Sequence, residues 1–248
     1  MIEQQNTIIV IPARLASRNL PGKPLADIWG VPMVVHVWRR AMEAKIGHVL
    51  VAAADLPIAE AVRAAGGDAI MTGRGARTGT DRVAEALAMR DPQGNYSHVV
   101  NLEADLPVVD PLSVQRCLAG LTNAIVDIST VAAAIEGAEA VHDPATVKAI
   151  APLAGREVAF ARDFLREPPV TLPPPFWQHA GIYAYRRPAL DRFAALPQSP
   201  RERDLGVEML RALDNGLKVA VVRIDNLPLR VASPADLEAA RIALKEKK

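Results

Sequence analysis

The first half of the chain alternates two signals with a regularity that few folds tolerate. Short apolar, β-branched runs (TIIVI, HVLVAA, DAIMT and HVVNLEA) are separated by segments of helical periodicity: PMVVHVWRRAMEAK over residues 32–45, IAEAVRAAGG and GTDRVAEALAMR. A continuous apolar run of this length reads as a strand buried on both faces, and strand–helix–strand repeats read as parallel crossovers. The pattern predicts an α/β protein with a mostly parallel sheet flanked by helices. Pro32 opens the first helix, glycines stop the second, and Thr80 is the expected N-cap of the third. In such sheets ligands bind outside the carboxyl ends of the strands. Polar residues gather at those ends here: the loop over residues 14–23, Asp55, TGRGARTGT, and LEADLP with Asp105.

After about residue 125 the rhythm weakens. VDISTVAAAI, VKAIAP, EVAFA and AGIYAYRR read as further strands, and the proline-rich REPPVTLPPPFW as a surface loop. RDLGVEMLRALDNG reads as one helix with a glycine stop, KVAVVRI as a strand, and SPADLEAARIALKEK as a capped helix. The expectation is a single domain over residues 1–248 with a strand-rich elaboration in its second half.

Composition removes several classes of function. A net charge of +1 over 248 residues gives no bulk field for nucleic acid, and 4% aromatic residues are too few for a base-stacking surface. No apolar run approaches the roughly 20 residues of a membrane span, and Arg14 interrupts the first apolar run too soon for a signal peptide. The one cysteine, Cys117, sits in the apolar helical pattern VQRCLAGL and reads as a buried structural thiol. A cytoplasmic location, without nucleic acid or membrane as partner, is expected.

The loop IPARLASRNLPGKPL is long for a strand-to-helix turn and carries Arg14, Arg18 and Lys23 with the single glycine Gly22. It has neither the G-x-G-x-x-G nor the G-x-x-x-x-G-K-[ST] pattern, which sets aside a nicotinamide dehydrogenase. Charge alone leaves two readings, a polyphosphate clamp and a solvated basic turn. The prolines flanking Gly22 and Lys23 stiffen the loop, as a positioned lysine requires.

With the downstream runs AVRAAGGDAIMT, GTDRVAEAL, VVNLEADLPVVDP, HDPATVKAI, HAGIYAYRR, LPQSPRE, EMLRALDNG and SPADLE, this loop forms an ordered set. The set resembles the 3-deoxy-manno-octulosonate cytidylyltransferases, which make CMP-Kdo for lipopolysaccharide. Any one motif is weak; their order and spacing along nearly the whole chain are specific. The resemblance implies a Rossmann-like nucleotidyltransferase fold. It implies a reaction in which a sugar-acid hydroxyl attacks the α-phosphate of CTP and pyrophosphate leaves. It implies Mg²⁺ as cofactor, a homodimer, and a sugar-binding and dimerisation elaboration over about residues 125–215. Arg14, Lys23 and Asp105 are its catalytic positions. Pro12, Ala13, Arg74 and Glu103 join Arg14 and Lys23 around the nucleotide, and Asp105 is the metal ligand. Arg162, His179, Tyr183, Glu202, Glu208 and Arg211 match positions at the sugar acid; arginine suits a carboxylate because it binds both oxygens. Read alone, Asp105 also suits a turn cap, His179 a structural histidine, and Glu208 with Arg211 a surface ion pair.

The resemblance fails at several polar positions. Asn19 stands where an arginine is expected, Glu103 for a glutamine, Ala104 for a glycine, Ala54 for an aspartate (Asp55 is adjacent), and Ala145 for an asparagine. Gly73 takes an arginine's place, with Arg74 one residue on. Relatives read Gly-Val-Asp-Thr-Pro near the C-terminus, whose aspartate is a second metal ligand; this chain reads RVASP, with Ala232 at that aspartate. These changes raise an alternative: a weak or inactive relative that binds a nucleotide or a partner.

Overall fold

Thr7–Ala13 is buried along nearly its whole length, as a strand must be when helices cover both faces of its sheet. The computed structural model describes the chain except residues 1, 3, 18–19, 170–172 and 246–248, so the expectation placed on Asn19 and its neighbour Arg18 lies outside the described residues. The described chain groups into two compact units, residues 2–115 with 228–248, and residues 116–227.

The first unit holds β1 (Thr7–Ala13), a small hairpin of β2 (Asp27–Ile28) and β3 (Val31–Pro32), α1 (Met33–Glu43), β4 (His48–Ala53), α2 (Leu56–Ala64), β5 (Asp68–Met71), α3 (Gly79–Arg90), β6 (His98–Leu102) and the start of α4 (Pro111–Ala119). Strands run in the order β5-β4-β1-β6, every pair parallel. All four carboxyl ends therefore open on one edge. A C-terminal helix (Pro234–Lys245) returns to this unit. Ile28, Met33, Val231, Leu237 and Ala240 form a buried cluster that fixes it against the β2–β3 hairpin. The Trp29 indole N–H adds a 2.7 Å bond to the carbonyl of Arg241.

The second unit is mixed. It contains β7 (Ile128–Ala134), α5 (Ala138–His142), β8 (Lys148–Ile150), β9 (Val158–Phe160), β10 (Asp163–Leu165), β11 (Trp177–Arg186), α6 (Arg187–Ala195), α7 (Pro200–Leu205), α8 (Met209–Asp214) and β12 (Val219–Arg223). β7 pairs antiparallel with β11 and parallel with β12, β9 borders β12, and β8 joins β10 to β11. Cys117 is buried, its thiol 3.5 Å from the carbonyls of Ser129 and Ile182, and burial pushes its pKa up.

The α/β architecture and the sheet of parallel strands agree with the sequence reading. Three local readings change. The N-cap of α3 is Thr78, whose hydroxyl accepts the Asp81 N–H at 3.1 Å. Thr80 lies inside the first turn, buried, and accepts from the Asn101 amide at 3.2 Å. The stretch RDLGVEMLRALDNG is two helices, because Gly206 adopts φ 62° and ends α7. Helix α1 begins at Met33, with Pro32 as its extended N-cap residue.

Candidate active site

The opening loop is built to hold one lysine still. Gly22 is left-handed at φ 71° and donates its N–H to Leu15 O at 3.1 Å, closing the loop on itself. A single 3-10 turn follows over Lys23–Leu25, with Pro24 buried. The Leu15 N–H is in turn held by Asp55 Oδ2 at 2.9 Å, from the carboxyl end of β4. Pinned at both ends, the loop directs Lys23 Nζ to Asp105 Oδ2 at 2.7 Å. Only 21% of the lysine and 13% of the aspartate side chain are exposed. Burial raises the Asp105 carboxyl above its ordinary value, and the Lys23 charge and hydrogen bond pull it back.

A second cation meets the same carboxylate. Arg230 places Nε 3.4 Å from Asp105 Oδ1 and Nη2 against Glu103 Oε2. Its backbone is located by the next residue: Val231 is fully buried and donates its N–H to Asp105 O at 2.9 Å. Lys23, Glu103, Asp105 and Arg230 therefore form one ion cluster past the end of β6. The sequence reading expected Lys23 at the triphosphate, Glu103 at the nucleotide and Asp105 on the metal, and did not single out Arg230, two residues before Ala232.

The remaining nucleotide positions lie at neighbouring strand ends. Pro12 and Ala13 close β1, and Arg14 is exposed just beyond them. Arg74 is 84% exposed and pairs with Asp55 Oδ1 at 3.2 Å. Buried Arg82, which sequence reading did not single out, donates to Thr72 Oγ1 at 2.6 Å and Gly73 O at 2.8 Å. Burial lowers its pKa, and the like charge of Arg14 adds to the shift. The signal was present in the motif GTDR, whose arginine faces the same strand ends.

In the second unit, a bulge interrupts the β11–β7 ladder between His179 and Tyr183, with Gly181 at φ 68°. A bulge frees a carbonyl; Thr130 Oγ1 donates to that of Ile182 at 2.7 Å. Having used its only hydrogen, the hydroxyl accepts from His179 Nε2 at 2.8 Å, which makes the neutral ring the Nε2–H tautomer. The His179 ring also lies 5.1 Å from Tyr183 and 5.6 Å from Phe164. Desolvation lowers its pKa to about 4. The unfolded chain takes a proton on this ring near pH 6.5 and the folded chain only near 4. Stability linked to His179 is thus lost as the pH falls from 6.5 to 4 and levels off below. We expect urea unfolding at pH 7 and pH 4.5 to show this loss, at most about 3 kcal/mol given the partly buried ring, and to show it reduced in His179→Gln.

Arg162 is exposed and lines two cavities of about 260 and 800 Å³, the first with Pro152, Pro175 and Trp177, the second with Arg156, Val158 and Phe160. His179 and Tyr183 line neither. Glu202 and Arg211, expected at the sugar, are instead 2% and 0% exposed and joined by bonds of 2.6 and 2.8 Å. Glu202 also completes a capping box with Ser199, and Arg211 lies over the Phe193 ring at 4.4 Å. With their polar atoms directed to each other inside the core, they brace α7 against α8. Glu208, just before α8, is partly buried. Buried Lys148, unremarked in the sequence, donates to the carbonyls of Asp143 and Arg166 at 2.6 and 2.5 Å.

The cytidylyltransferase family profile matches residues 8–224. A 3-deoxy-manno-octulosonate cytidylyltransferase of Parvibaculum lavamentivorans is 48% identical over 96% of this chain and 92% of its own length. The chain belongs to this family. A relative of the same name from Methylorubrum extorquens is 47% identical over 96% of both chains. The solved structure of a CMP:2-keto-3-deoxy-manno-octonic acid synthetase complexed with CTP superposes with a TM-score of 0.88 at 35% identity, covering 98% of this chain and all of its own. These comparisons give no support to the alternative of an inactive relative.

The resemblance led us to expect a family metal site, but the residues of this member do not fit a divalent ion. Both Asp105 oxygens face cations, and Glu103 is paired with Arg230. Ala232 offers only a methyl group. Asp236 Oδ2 is committed to the start of the C-terminal helix, accepting from Ala232 N, Ser233 N and Ser233 Oγ at 3.0, 2.8 and 2.8 Å. No group of three or more potential ligands converges among the described residues.

Proposed function

We propose that the chain transfers CMP from CTP to 3-deoxy-manno-octulosonate or a closely related 3-deoxy sugar acid. The observation that carries this reading is Lys23, held rigidly on Asp105 at the carboxyl ends of parallel strands, in a member of a family whose solved relative is complexed with CTP. The sugar hydroxyl oxygen forms a bond to the α-phosphorus. The bond from that phosphorus to the bridging oxygen breaks, pyrophosphate leaves with the electron pair, and the hydroxyl proton passes to water. Such chemistry asks mainly for positioning and charge neutralisation. Lys23 and Arg14 receive the triphosphate, and the β1 end at Pro12 and Ala13 lines the base. Arg162, exposed beside the cavity it lines with Pro152, Pro175 and Trp177, is the sugar-side cation of the second unit. Mg²⁺ enters this proposal only as the counter-ion of CTP.

We also infer a homodimer and a cytoplasmic location. Val158, Phe160 and Ile125 are 45%, 40% and 63% exposed, an apolar patch at the edge strand β9 that a second copy can cover. Among the described residues no helix is long and apolar enough to cross a membrane.

The test is pyrophosphate release from CTP in the presence of 3-deoxy-manno-octulosonate. We expect turnover that depends on both substrates, and a mass in solution of twice the chain. No release with that sugar or with a panel of related acidic sugars overturns the assignment.

A further inference from the structure

Two carboxylates beside each other where a polyphosphate must bind are an electrostatic liability. A divalent ion is one remedy; a tethered basic side chain is another. In this chain the second is in place. Arg230 reaches Glu103 with Nη2 and Asp105 with Nε, while Lys23 takes the other Asp105 oxygen. Lys23 and Arg230 contribute +2 and Glu103 with Asp105 −2, so the cluster is neutral with Arg230 and carries −1 without it. The position of Arg230 does not rest on a flexible reach, because buried Val231 is bonded to the Asp105 backbone.

The sequence departures fall into one pattern around this residue. The acid expected at 232 is absent, an extra acid appears at 103, and an arginine appears at 230, two residues before Ala232. Ala232 offers no carboxylate, and Arg230 supplies the counter-charge of Glu103. We propose that Arg230 is a built-in cation standing where a divalent ion would be held, so that CTP is received by Lys23 and Arg14, joined by Arg230, without a metal ion bound by the chain. About half of the Arg230 side chain is exposed, while burial around its charged end lowers its pKa. The inference rests on the nucleotidyl-transfer reading above.

Two titrations test it. In the absence of nucleotide, Mn²⁺ is expected to find no site tighter than about 1 mM on the unmodified chain. Arg230→Gly combined with Ala232→Asp is expected to create a site at least about tenfold tighter. In EDTA, CTP is expected to bind the unmodified chain within about threefold of its Kd in Mg²⁺. Arg230→Gln is expected to weaken binding in EDTA by about tenfold or more and binding in Mg²⁺ by less. Tight Mn²⁺ binding by the unmodified chain overturns the proposal, as does CTP binding in EDTA that is indifferent to Arg230→Gln. Failure of the chain to bind CTP in either medium counts instead against nucleotidyl transfer, and the Mn²⁺ titration still decides what Arg230 does.

Discussion

Lys23→Met is expected to lower kcat/KM for pyrophosphate release by about 100-fold or more, the usual consequence of removing one preorganised charge from a phosphoryl-transfer site. The structure gives the loss two sources. The triphosphate loses a cation that Gly22, Pro24 and the Leu15–Asp55 bond hold in place. Asp105 loses its 2.7 Å partner while remaining mostly buried, so its charge then opposes the incoming phosphates. Lys23→Arg should recover only part of the activity, because a wider, planar group on a stiff turn cannot place its charge at the same point. Arg90→Ala, at the end of α3 away from the strand carboxyl ends and 44% exposed, is the control: its effect should stay within about threefold. A Lys23→Met enzyme within about fivefold of normal would reduce Lys23 to a strut for Asp105.

Arg211→Met is expected to cost about 3–5 kcal/mol of stability, because it leaves the Glu202 carboxylate buried without its counter-charge. For a chain of this size that is a fall in Tm of about 10 °C or more. Pairing it with Glu202→Leu should restore most of the loss, since no ion is then left stranded, although the capping-box bond of Glu202 to Ser199 is lost. Folded Arg211→Met enzyme should keep its KM for the sugar within about threefold, as expected of a brace that ligands do not reach. A tenfold rise in that KM with an unchanged Tm would return Arg211 to the sugar site.

The parts of the fold that were legible in the sequence are those where local pattern and burial agree. β1, β4 and β6 are continuous apolar runs because both faces of the sheet are covered, and no competing period obscures them. Thr80 was mistaken for the cap because TGT offers two hydroxyls; the aspartate three residues after Thr78 was the better guide. Gly206 was read through as an interior helix residue, since its left-handed φ is a tertiary choice that composition does not show. The site divides the same way. Lys23 and Asp105 could be singled out because their motifs sit at strand ends. The pairing of Glu202 with Arg211 in the core was not legible, because a motif match carries no information about burial. Arg230 was invisible because its role depends on a contact 125 residues away in sequence.

The bond from Val231 to the Asp105 backbone sets an order of events during synthesis. The parallel strands and the lysine loop leave the ribosome early, yet the turn after β6 acquires its second cation only when the segment from residue 228 docks and the C-terminal helix closes over the β2–β3 hairpin. Until then Asp105 has Lys23 as its counter-charge and Glu103 lacks Arg230, so the last member of the ion cluster to be synthesised is also the last to be placed.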